Sequence, residues 1–231
     1  MLIDYIINKT KKENMYKVKH LDLSEKVYHT LKNMILNDEL KSGEKLNQQK
    51  LAQELGVSRT PILSAFSKLE KEVLVEIIPR KGTFVKKLNY KEFLDLYDIR
   101  ARLEPLGAYE AAKHSTEHEL NQLNKIIGDF KKNISRYSSK RLSKIDYAFH
   151  MTIMKMSKNE LLIKLISSFN MIVLSNLEGL LKNPSQSLEE HIEIYNAIKE
   201  GNANLAEKIM HHHIIDSRSK IKRKISDNKK I

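Results

Sequence analysis

Helix breakers are scarce in this chain, and their scarcity narrows its possible folds more than any other feature. Seven glycines and four prolines occur in 231 residues, against a combined average of roughly 12%. Few positions can then form tight turns, so the chain must fold mainly as helix with short connections. The glycines at 43, 56, 82, 107, 128, 179 and 201 stand too far apart for dinucleotide or P-loop phosphate cradles. The absence of cysteine excludes disulfides, thiolate metal sites, iron–sulfur clusters and a cysteine nucleophile. HExxH and GxSxG are also absent.

The formal net charge is +12, which points to an anionic partner, nucleic acid first. Its distribution is uneven. Residues 1–88 carry 17 Lys and Arg against 11 Asp and Glu, residues 89–215 carry 17 against 16, and residues 216–231 carry 7 against 2. The N-terminus, MLIDYIINKTKKEN, has Asp4 inside its apolar start and no small-residue cleavage site, unlike a signal peptide. No apolar run approaches the roughly 18 residues of a membrane helix. The expectation is a cytoplasmic protein with no membrane partner. The basic tail reads as a solvated helix end running into disorder.

Along the first third, Ser24 opens a helical pattern (Val27, Leu31, Met34, Ile35) that ends near Asn37. After a loop over 41–44, a short helix over 48–55 stops at Gly56, which suits a left-handed end. Ser58 can cap a third helix that tolerates Pro61 in its first turn and turns Ile62, Ala65, Phe66 and Leu69 to one face. Apolar runs over 74–78 and 83–85, separated by Pro79-Arg80-Lys81-Gly82, read as a β-hairpin with a basic tip. Three helices followed by a hairpin make a winged helix-turn-helix. In that arrangement the third helix enters the major groove of duplex DNA, with Ser58, Arg59 and Thr60 offering donors to base edges and phosphates. Arg80, Lys81 and Gly82 would approach the backbone at the wing.

The remainder reads as a bundle of about six helices, near residues 90–114, 116–135, 140–157, 160–181, 187–200 and 204–222. Asp146 and His150 lie four apart and share a helix face, beside the stripe of Leu142, Ile145, Phe149 and Ile153. His191 sits among Leu188, Ile194, Tyr195 and Ile198 and points inward. In His211-His212-His213, a face set by Leu205, Ala206, Ile209 and Met210 brings His213 near its centre, His212 near its edge, and His211 almost opposite. Each histidine alone reads as an ordinary core or surface imidazole. Three inward histidines with one aspartate form a candidate divalent-metal site, because a shared cation offsets the cost of burying all four. His20, His29, His114 and His118 show no such arrangement.

LAQELGVSRTP followed by LEKEVLVEIIPRKGTFV resembles the DNA-binding domain of GntR-family bacterial transcription regulators. The resemblance makes Arg59 the base-contacting arginine and Ser58, Thr60, Lys81 and Gly82 phosphate- or wing-contact positions. The family usually continues with Arg-Glu-Ala-Leu. Here Leu63-Ser64-Ala65-Phe66 stands instead, so an apolar residue replaces a second base-reading arginine. DLYDIRARLEPLGAYEAA, DYAFH and EEHIEIYNAIKEGNANLAEKIMHHH resemble the helical (FCD) effector domain of the FadR-type subfamily, over roughly residues 93–217. In metal-binding members, one aspartate and three histidines hold a divalent ion, matched here by Asp146, His150, His191 and His213. An arginine near the effector is matched by Arg100, which reads equally as a helix salt bridge with Glu104.

The combined reading is a mainly α, homodimeric, ligand-responsive transcription regulator. It would comprise an N-terminal extension (1–20), a winged helix-turn-helix (21–88), a helical effector and dimerisation domain (89–217) and a basic tail (218–231). Its expected partners are double-stranded operator DNA and a small carboxylate effector. The expected cofactor is zinc, with nickel or manganese open. It is read as no enzyme: a metal-dependent hydrolase is the rival, but no general acid or base stands out beside the ligands. Nonspecific DNA packaging is a third reading.

Overall fold

The computed structural model describes residues 20–169 and 183–228, which fall into two compact units. The expected N-terminal extension lies outside the described residues apart from His20, as do the second half of the helix expected over 160–181 and the last tail residues.

The first unit comprises α1 (His20–Leu36), β1 (Lys45–Leu46), α2 (Gln48–Glu54), α3 (Arg59–Lys71), β2 (Val75–Ile78) and β3 (Gly82–Val85). Its core is Leu31 and Ile35 of α1 with Ile62, Phe66 and Leu69 of α3. Asn47 caps α2 by accepting from the amides of Gln49 and Lys50. Gly56 has φ +63°, the left-handed conformation expected at that helix end. The hairpin forms as read, with Ile78 opposite Gly82 and Val75 opposite Val85. The sequence reading missed one strand: β1 pairs antiparallel with β3, so the sheet order is β1-β3-β2. A two-residue strand carries no alternation, and only its distant partner creates it.

The second unit holds α4 (Tyr90–His114), α5 (Glu117–Asn133), α6 (Ser139–Met156), α7 (Glu160–Phe169), α8 (Pro184–Lys199) and α9 (Ala203–Asn228). Capping boxes at Asn89/Glu92 and Thr116/Glu119 fix the starts of α4 and α5. Asn183 and Pro184 start α8. A single apolar core runs through the unit, built on Ala108, Leu123, Phe130, Phe149, Ile153, Met154, Ile194 and Met210. α9 continues to Asn228, beyond the end expected near Lys222. Ile221 is buried and Arg218 pairs with Asp98 of α4 at 2.7 Å, so the start of the basic tail packs as helix.

Candidate metal centre and nucleic-acid interface

Three helices of the second unit each turn polar groups into its core. α6 contributes Asp146 and His150, one helical turn apart, α8 contributes His191, and α9 contributes His213; all four are buried. One ligand atom from each lies within 4.8 Å of the others. His191 Nε2 stands 3.4 Å from Asp146 Oδ1, His150 Nε2 3.9 Å from Asp146 Oδ2, and the Nε2 atoms of His150 and His213 are 3.3 Å apart. Phe149 stacks on His191 with ring centroids 3.9 Å apart, and Ser187 Oγ donates to Asp146 Oδ1 at 3.4 Å. Burial pushes the Asp146 carboxyl up from its ordinary value, against the pull of His150 and Arg100.

Two carboxylates hold these imidazoles from behind, and the sequence reading assigned neither to the site. Glu104 of α4 is wholly buried: its Oε2 lies 2.6 Å from His150 Nδ1 and its Oε1 accepts from Arg100 Nε at 2.5 Å. Burial works against ionising Glu104, yet Arg100 and His150 together hold it down to about 2. Glu190 of α8 has Oε2 2.5 Å from His213 Nδ1. With both Nδ1 atoms turned to carboxylates, the Nε2 atoms face one another and stand ready as electron-pair donors. A signal for Glu104 existed, since Tyr97, Ala101, Glu104, Ala108 and Ala111 follow one helical face. Glu190, beside His191 in sequence, had none.

The helix phases differ from the sequence reading in two places. Asp146 and His150 lie within the buried face of α6, together with Leu142, Phe149, Ile153 and Met154, and it is Ile145 that sits at the margin. On α9 the inward line is Ala206, Met210, His213, Ile214, Ser217 and Ile221, whereas Leu205 is 39% exposed. Phased on that line, His212 is the outward histidine and His211 is half-buried, the reverse of the expected order.

In the first unit, Ser58, Arg59 and Thr60 are all exposed at the start of α3. Arg59 Nη2 donates to Gln49 Oε1 at 3.1 Å, which ties the guanidinium to α2. At the wing tip, Arg80 and Lys81 are exposed. Arg80 takes φ +64° and Gly82 φ +116°. A Cβ on Gly82 would stand 3.1 Å from Cε of Lys45, the movable end of a flexible side chain, so it is the backbone angle that favours glycine there.

Two family models match the chain: that for bacterial regulatory proteins of the gntR family over residues 23–85, and that for the FCD domain over residues 95–216. The chain belongs to the GntR family. This GntR regulator is 30% identical to the uncharacterized HTH-type transcriptional regulator YdhC of Bacillus subtilis over 78% of its length and 83% of that protein. It is 26% identical to the gluconate operon transcriptional repressor of Bacillus licheniformis, covering 83% and 82% of the two chains. E. coli McbR/YncC shares the fold, with a TM-score of 0.73 over 88% of this chain and 98% of that one at 18% identity. These relatives and families are transcriptional regulators rather than enzymes, and GntR regulators bind operator DNA. Among the described residues of this regulator, no helix is long and apolar enough to cross a membrane. Its Arg100 is buried, bonded to Glu104 and set over the Tyr97 ring at 4.7 Å. The helix salt bridge therefore exists, and the same guanidinium favours the ionised form of Asp146.

Proposed function

We propose that this GntR regulator binds its operator as a homodimer and senses a small carboxylate through a divalent ion held in the helical unit. The observation that carries the sensing half is the convergence of four buried donors, one carboxylate and three imidazoles, within 4.8 Å. That donor set suits a divalent ion, because imidazole is a good ligand for zinc, nickel and related metals and Asp146 offsets half of the charge. Asp146, His150, His191 and His213 would hold it, with zinc first and nickel or manganese as alternatives. When bound, the ion supplies positive charge and coordination positions open to an anionic oxygen. Arg100 adds a second cation beside Asp146, and a carboxylate is the small ligand that answers both. The name of the B. licheniformis relative, a gluconate operon repressor, supports a carboxylate as the effector class.

On the DNA side, Ser58, Arg59 and Thr60 would meet base edges and phosphates, and Arg80, Lys81 and Gly82 the backbone. The effector acts on binding only insofar as it favours one arrangement of the dimer over another. Elemental analysis followed by thermal melts with a panel of small carboxylates tests the reading. About one divalent ion per chain is expected, with at least one carboxylate raising the melting temperature of the loaded protein alone. Protein that stays metal-free after dialysis against zinc and nickel overturns the metal site. Carboxylate stabilisation that survives stripping with a chelator overturns its coupling to the ion.

A further inference from the structure

We infer that Leu63 is a specificity-determining residue that reads the 5-methyl group of a thymine in the operator. The inference rests on the DNA-binding reading of α3 and names a base feature which that reading leaves open. α3 buries Pro61, Ile62, Ala65, Phe66 and Leu69, so Arg59, Thr60, Leu63 and Ser67 lie on its exposed face, with Glu70 and Lys71 at the far end. Leu63 is 50% exposed on that face, amid a guanidinium and hydroxyls. It adds nothing to the core.

An isobutyl group offers no donor or acceptor to a base edge or a phosphate. In the major groove, the group that matches it is the C5-methyl of thymine, and contact there removes two apolar surfaces from water. Leu63 follows Arg59 by four residues, about 6 Å along the helix axis and on the same side. That distance is about two base-pair steps at roughly 3.4 Å each. The methyl-bearing base therefore stands within about two positions of the base that Arg59 reads, on a surface where Arg59 is steadied by Gln49.

The test starts by selecting duplexes with the full-length protein from a random library. Each thymine of the selected site is then replaced singly by deoxyuridine, which lacks only the methyl group. The wild-type protein is expected to lose about fourfold in affinity at one position per half-site, the equilibrium equivalent of one buried methyl-sized group. Leu63→Ala should be insensitive to the same replacement. Leu63→Arg should select a site with guanine at or next to that position, since arginine pairs with guanine O6 and N7. If no thymine responds to loss of its methyl, or if Leu63→Ala responds equally, the inference fails while the selected motif leaves operator recognition standing. If selection yields no motif at all, operator recognition fails and takes the inference with it.

Discussion

Replacing Glu104 by Gln should damage the metal centre through His150, a residue it touches only from behind. The carboxylate is wholly buried and engaged at both oxygens, by Arg100 Nε at 2.5 Å and His150 Nδ1 at 2.6 Å. Glutamine preserves the shape but brings one oxygen and one NH2 group. Arg100 can only donate, so the oxygen must stay with Arg100 and the NH2 must turn to His150. His150 Nδ1 then has to accept, which moves the ring proton to Nε2, the atom 3.3 Å from His213 Nε2. A protonated Nε2 has no electron pair for a metal. Metal affinity should fall by about 10- to 100-fold, the usual cost of losing the partner that orients a ligating histidine. The Arg100 charge also loses its buried counter-ion, at about 3–5 kcal/mol of stability. For a chain of this size that corresponds to a fall of about 6–20 °C in Tm. Competition with a chromophoric chelator gives the affinity, and melts of chelator-stripped protein give the stability. A variant that is destabilised yet binds zinc within twofold of wild type would refute the tautomer argument and leave Glu104 a purely structural ion-pair partner.

Arg59→Ala should weaken specific DNA binding by about 1–3 kcal/mol with little effect on random duplexes, whereas Lys81→Ala should weaken both and flatten the salt slope by about one; fluorescence titrations across salt concentrations read both, and equal losses for Arg59→Ala on the two DNAs would sink its base-reading role. His213→Ala should abolish the bound ion and His212→Ala should retain it, because His213 is buried in the cluster and His212 is exposed; equal metal content in the two variants would contradict the phase of α9. Arg80→Gly should stabilise the first unit by up to about 1 kcal/mol, since a left-handed backbone angle at φ +64° suits glycine better, while weakening DNA binding by removal of a wing cation. Glu104 is held down to about 2 in the fold, below the roughly 4.3 of an unfolded chain, so its contribution is fully present above about pH 4.3 and is lost as pH falls through about 2. Urea melts of chelator-stripped protein should therefore lose stability between those pH values less steeply for Glu104→Gln than for wild type, and identical profiles would show that Glu104 is not depressed.

What could be read from the residues alone was whatever is encoded locally. Scarce glycine and proline imposed a helical chain, Gly56 marked the end of α2, and LAQELGVSRTP carried the family. A four-residue separation was enough to put Asp146 and His150 on one face, and apolar neighbours turned His191 inward. Tertiary packing decided the rest. β1 is a strand only because β3 lies beside it. On α9, Leu205 and Ile209 suggested one phase, but docking along α4 selected Ala206, Met210 and His213 as the buried line and so exchanged the environments of His211 and His212. Local periodicity leaves a helix free to rotate by a residue or so, and the partner surface fixes the angle. The links from Glu104 to His150 and from Glu190 to His213 join residues 46 and 23 positions apart. No local pattern records such a pairing, because it exists only once the helices that carry the two groups share one core.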